Sequence, residues 1–248
     1  MDLQPREVVS VDVHAPADTV WEHLRDPRLV RRWFGWDHDG LDAEIAQIFR
    51  DEAREHHHGG STRSLLWPHH DRMTVTALDD ARSRVSVTRR SHDGLSMFDG
   101  VFDEMDEGWT QFVHQLAFAL DVHPGEDRVT LLAHGLDAGD RHDPLLFRAG
   151  LHGVRGLPVR AHVEAVRPDG SRVGGTLVYK TEHQVGIHPH GIAESLLVLL
   201  VRPPVERPPH GTVDVTMSTY GLDDEVMAEA RRRWDGWWSV APQPAAGT

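Results

Sequence analysis

At 248 residues the chain has room for one large domain or two of about 120, and its 39% apolar and 26% charged residues mark a globular protein with real cores. A formal net charge of -13 argues against a nucleic-acid partner, and the absence of Cys removes disulfides, thiol nucleophiles and thiolate metal sites. No run of about 18 apolar residues is present to span a membrane, and the opening MDLQPREVV lacks an apolar signal region, so a cytoplasmic location is expected.

Arg6 to His14 alternates, with Val9, Val11 and Val13 on one side, and predicts a half-buried strand. Pro16 opens a short helix carrying Val20, Trp21 and Leu24. Asp26-Pro27 is a second start signal, an N-cap residue followed by Pro at the first helical position, with Leu29, Val30, Trp33 and Phe34 at helical spacing beyond it. From Leu41 to Trp67 the pattern fits a helix or a strand, and His56-His57-His58-Gly59-Gly60 reads as a turn or loop. Met73, Val75 and Ala77, then Val85 and Val87, alternate about a polar turn and predict a hairpin.

Phe102 to Val122 is the organising stretch of this half. Met105, Trp109, Phe112, Val113, Leu116 and Leu120 fall on one helical face, and Asp103, Glu104, Asp106 and Glu107 crowd the first turns, where negative charge suits the helix dipole. Gly108 inside the helix points to close approach of another backbone or to room left for something else. Phe118 falls on the opposite side with Gln111, His114 and Gln115, so it is either a stray exposed aromatic or a covered one.

His123 to Asp127 breaks the chain near its midpoint, and the plan then restarts. Val129 to His134 is strand-like, Asp143-Pro144 repeats the earlier start signal, and Val159, Ala161 and Val163 alternate. Pro168-Asp169-Gly170 is a hairpin turn with Val173 to Tyr179 as the return strand. Ser195 to Val201 is apolar on both faces and predicts a covered central strand; Val213, Val215 and Met217 alternate in the last one. Leu222 to Trp238 closes the chain as a second long helix, with Val226, Ala230, Trp234 and Trp237 on one face. The expected division is residues 1–124 and 125–241, followed by a disordered tail over 242–248.

This order of elements resembles the START-like, helix-grip fold, and in sequence the SRPBCC superfamily. The branch related to the activator of a heat-shock chaperone ATPase is nearest, through Val11 to Trp21, Asp26-Pro27 to Trp33-Phe34-Gly35, and Glu107-Gly108-Trp109. The resemblance covers the first half well; the second half follows by order of elements alone. It implies an α+β chain of two tandem helix-grip units, each a curved antiparallel sheet packed on its long C-terminal helix, with an apolar cavity between them. Members of the superfamily bind lipids, polyketides or hormones, and a minority catalyse cyclisation or dehydration. No catalytic residue set is shared, so none carries over.

Other signals are weak. Gly150-x-x-Gly153-x-x-Gly156 has the wrong spacing for a dinucleotide fingerprint, and no Walker loop, nucleophile elbow or HExxH is present. His56, His57 and His58 with His69 and His70, or His188 and His190 with His183 near, could gather imidazoles for a metal, but loop histidines are the simpler reading. No cofactor is implied. The candidate ligand-binding residues are Trp33, Phe34, Trp67, Trp109 and Phe112 in the first half, and Tyr179, His188, Trp234 and Trp237 in the second. The expected function is binding of a small apolar or amphipathic molecule. A cyclase or dehydratase using His114, His183, His188 or a carboxylate as general base is the alternative, and a scaffold for a protein partner is the third.

Overall fold

The structure is a computed structural model, and it describes residues 5–68, 71–90, 102–191 and 194–240. His69, His70 and the expected tail over 242–248 lie outside the described residues. The chain divides into two compact units, Met1–Arg128 and Val129–Thr248. Each is a helix-grip unit: an antiparallel sheet, with its first strand beside its last, followed by a long C-terminal helix.

In the first unit β1 (Pro5–Val13) leads into α1 (Ala17–Arg25) and α2 (Pro27–Val30). Asp26 caps α2 by accepting from the Arg28 N–H at 2.9 Å, as the Asp-Pro pair predicts. Then come α3 (Leu41–Ile45), which runs on as a π-helical turn (Ala46–Glu52), and four strands: β2 (Arg54–His57), β3 (Thr62–Leu66), β4 (Arg72–Ala77) and β5 (Ser83–Arg90). The sheet order is β1-β5-β4-β3-β2. His56 and His57 therefore lie on an edge strand rather than in the loop expected from sequence. They pair with Ser64 and Arg63, and every residue of β2 is exposed, so no apolar alternation marks it.

The closing helix α4 (Glu104–Asp121) runs along β1 and β5. Its N-cap, Asp103, accepts from the N–H groups of Met105 (2.9 Å) and Asp106 (3.1 Å). Arg89 on β5 ties this end to the sheet through Asp71 at 3.0 Å, Asp103 at 3.1 Å and Asp106. Gly108 makes no close backbone approach; the nearest atom to an added Cβ would be on the Phe112 ring at 3.7 Å, so the close-approach expectation fails. Phe118 is buried with its ring centroid 5.5 Å from that of His123, so it is not a stray exposed aromatic.

The second unit contains β6 (Arg128–Asp137), α5 (Leu145–Arg148), a 3-10 turn (Val154–Gly156), and then β7 (His162–Val166), β8 (Arg172–Lys180), β9 (Gln184–Pro189), β10 (Ser195–Arg202) and β11 (Thr212–Tyr220). The order is β6-β11-β10-β9-β8-β7, which places β10 centrally, buried on both faces as its sequence predicts. Pro144, not Asp143, stands at the N-cap of α5. Arg160 has a φ of 73°, which breaks the extended chain, so the Val159–Val163 alternation yields a strand only from His162. Gly150 (φ 75°) lies so close to β7 that a Cβ there would run into the Val166 carbonyl.

The last helix, α6 (Asp224–Trp238), starts at Asp223, whose carboxylate accepts from the Val226 N–H at 2.8 Å. Trp234, Trp237 and Trp238 pack into one core with Leu145, Val163, Leu177, Ile187, Leu197 and Val215. Their indoles also anchor the helix: Trp234 Nε1 donates to Leu132 O (3.0 Å) and Trp237 Nε1 to Ala149 O (2.9 Å).

Candidate functional site

The aromatic residues of the first unit come together as one packed set. The Trp33 ring meets Phe34 and Phe49 edge-on at 5.9 and 5.5 Å, Phe34 meets Phe112 at 4.7 Å, Phe49 meets Trp67 at 5.8 Å, and Trp67 meets Trp109 at 5.1 Å. Trp33 is fully buried and donates from Nε1 to His23 O at 2.9 Å; Trp67 donates to Ile48 O at 2.8 Å. Gln115, also fully buried, donates to the carbonyls of Trp33 and Gly35 and so holds the turn that carries Trp33 and Phe34. Spacings of this kind are those of a core held by edge-to-face ring contacts. Two of the residues on which the expected resemblance rests serve the fold here: Asp26 caps a helix and Trp33 fills the core.

A cavity of about 130 Å³ opens in the second unit between sheet and α6. Its helix side is Ala230, Arg233, Trp234 and Trp237, and its sheet side includes Val173, Pro189, Met217 and Thr219. Arg167 and Arg172, at the two ends of the β7–β8 hairpin turn, border it, as do His190 and Ser195. Trp234 and Trp237 stand edge to face at 6.4 Å, and the Arg167 guanidinium lies 4.9 Å above the Trp237 ring. Trp237 and Trp238 stack at 5.2 Å with 17° between planes.

Of the second unit's four candidate residues, Tyr179 and His188 are not brought to this cavity. Leu177 pairs with Ile187, but Tyr179 pairs with Gly186, because a bulge intervenes on β8. The extra residue turns Tyr179 to the face opposite Leu177 and the α6 core. There its ring lies over Gly186 and its hydroxyl donates to Gln184 Oε1 at 3.0 Å. His188 follows Ile187 on β9 and therefore also faces away from that core. It does share a face with His190, as their spacing predicts; the rings are 4.9 Å apart, and His188 Nε2 is 3.7 Å from Glu194 Oε1. His56 and His58 likewise meet at 4.3 Å. Among the described residues no group of three His, Asp or Glu side chains could hold a metal ion.

Arg167, Arg172 and Arg233 are not among the residues expected to bind a ligand. Their signal is a cation at each end of the Pro168-Asp169-Gly170 turn and another one residue before Trp234, in a chain that is otherwise strongly acidic. A larger cleft of about 550 Å³ lies beside α2 in the first unit, but its walls are mainly charged: Arg28, Arg31, Arg32 and Arg128 with Asp42 and Asp127. Arg31 there pairs with Asp42 at 2.5 Å and Arg32 with Asp127 at 3.0 Å, which leaves a surface of solvated ion pairs rather than an apolar wall.

Comparison with known proteins gives structural likeness only. No family model matches the chain, and no curated protein does. Three solved structures align over most of its length. The di-domain ARO/CYC BexL from the BE-7585A biosynthetic pathway is 12% identical, with 98% of this chain and 100% of that one covered, at a TM-score of 0.32. StfQ, a di-domain ARO/CYC from the steffimycin biosynthetic pathway, is 14% identical, with 91% and 90% covered, at 0.31. DynU16, encoded in the dynemicin biosynthetic locus, is 18% identical, with 95% and 96% covered, at 0.28. At such TM-scores these likenesses carry no argument about activity. No helix among the described residues is long and apolar enough to cross a membrane.

Proposed function

We propose that the second unit binds a small apolar or amphipathic molecule in the cavity between its sheet and α6. The observation that supports this is the cavity's composition: two Trp rings and the side chains of Val173, Met217, Leu222 and Ala230, with a few polar groups around them. Binding sites of this kind are mostly apolar, with sparse polar groups that orient the ligand. A volume near 130 Å³ suits one aromatic ring, with the remainder of a larger molecule at the open mouth.

The cyclase or dehydratase alternative has less support. A general base must reach its proton, and no carboxylate borders the cavity among the described residues. None of the expected bases His114, His183 and His188 is among its lining; His190 borders it, but its ring lies beside His188, with Nε2 3.1 Å from Thr176 Oγ1. The scaffold alternative and the chaperone-activator resemblance draw no comparable support from a particular surface.

Saturation-transfer NMR with naphthalene and benzyl alcohol tests the proposal. Both are neutral, so only apolar complementarity is probed. Saturable transfer that one compound competes away from the other is expected. Absence of saturable binding by either, together with no change in Trp fluorescence, would contradict it.

A further inference from the structure

We infer that the cavity of the second unit takes a ligand whose apolar or aromatic body carries an acidic group, with Arg167 as the anchor for that group. The inference rests on the reading of this cavity as a binding site and specifies the chemistry of its ligand.

Three arginines border the cavity, and two have a carboxylate partner, although Glu229 is shared between Arg233 and Arg232. Arg172 pairs with Glu164 at 2.8 Å and Arg233 with Glu229 at 2.5 Å. Arg167 has no carboxylate within ion-pair distance among the described residues, although the chain carries a formal charge of -13. The nearest acid in sequence, Asp169, attracts Arg167 through space but makes no ion pair with it, its carboxylate accepting from the Ser171 N–H at 2.9 Å. The Arg167 guanidinium is fixed at one face by the Trp237 ring, 4.9 Å away. Its Nε is buried without a hydrogen-bond partner, and its Nη1 has only a 3.5 Å contact to Ser171 Oγ.

A guanidinium presents donors in a planar fork that matches a carboxylate. Here it is half-desolvated, held flat on an indole and left with unfilled donors beside an apolar cavity. Burial pushes it below the ordinary arginine range, with Asp169 partly opposing the shift and Arg233 adding to it. An acid lying with its ring against Trp234 and Trp237 would supply that charge. A guanidinium merely covering Trp237 would show no such preference.

The test is a pair of isosteres titrated into the full-length ¹⁵N-labelled protein at neutral pH, benzoate and benzamide, followed through the indole N–H signals of Trp234 and Trp237. Benzoate is expected to bind about tenfold more tightly, equivalent to about 1.4 kcal/mol. Arg167→Gln should bring the ratio close to one, chiefly by weakening benzoate, and Arg172→Gln should leave the ratio as it is. If the Gln variant does not fold, Arg167→Met keeps the apolar stem over Trp237 and gives the same comparison. Equal binding of the two compounds by the wild type, or an undiminished ratio without the Arg167 charge, would overturn the inference while leaving the cavity reading intact. If neither compound shifts the indoles, the cavity reading itself falls and the inference with it.

Discussion

His114 on α4 offers a quantitative test of how this protein responds to acid. The side chain is half-buried, and burial pushes its imidazole from the usual 6.5 down to about 4. In the unfolded chain it titrates normally, near 6.5. Above that pH it is neutral in both states and contributes nothing to pH dependence. Between about pH 6.5 and 4 the unfolded chain takes up a proton that the folded one refuses, so stability falls with a slope approaching 1.4 kcal/mol per pH unit. Below about pH 4 both states are protonated and the loss is complete, roughly 3 kcal/mol in all. Urea unfolding followed by Trp fluorescence, from about pH 8 to 4.5, compares the wild type with His114→Gln, which keeps polarity but does not titrate. His23 and His134 are also pushed down by burial, so the variant should retain some acid sensitivity. The wild type should nevertheless lose about 2 kcal/mol more than the variant across the acidic half of the range. Parallel pH profiles for the two proteins would mean that burial does not suppress protonation of His114.

Two predictions concern packing. Trp67 donates to Ile48 O, whereas Trp109 Nε1 has no partner among the described residues, so Trp67→Phe should destabilise the first unit by about 1–2 kcal/mol more than Trp109→Phe; urea midpoints in the reverse order would show that the Trp109 N–H is satisfied. Gly186→Ala would place a methyl group inside the Tyr179 ring, so unfolding of the second unit should become easier by about 1–3 kcal/mol. A change below about 0.5 kcal/mol, the range of an innocuous surface substitution, would mean that Tyr179 does not lie on that face.

The sequence was most legible where one physical signal dominates. The apolar faces of the two long helices run at helical spacing into their cores, and the acidic residues expected in their first turns include Asp103 and Asp223, which stand at the N-caps. The Pro168-Asp169-Gly170 turn and the doubly apolar Ser195–Val201 run likewise read directly as a hairpin and a covered strand. β2 was not legible, because an edge strand exposed along its whole length needs no alternation. Tyr179 was misplaced for a different reason. Side-chain direction in a strand has a period of two, and one bulged residue after Leu177 reverses it without altering composition. Half of the candidate cavity was legible, since Trp234 and Trp237 stood out on their helix. The other half was not. Arg167 reaches the cavity from a hairpin whose position over Trp237 is set by the folded sheet.

If a ligand sits in the space between the second sheet and α6, filling that space should abolish binding. Ala230 borders the cavity from the helix side. Ala230→Phe should occupy most of the volume while leaving the capped helix and its anchoring indoles in place. Naphthalene binding should fall at least tenfold with the cooperative thermal transition retained. Unchanged affinity in a folded Ala230→Phe protein would contradict it, and would place the binding surface elsewhere in the molecule.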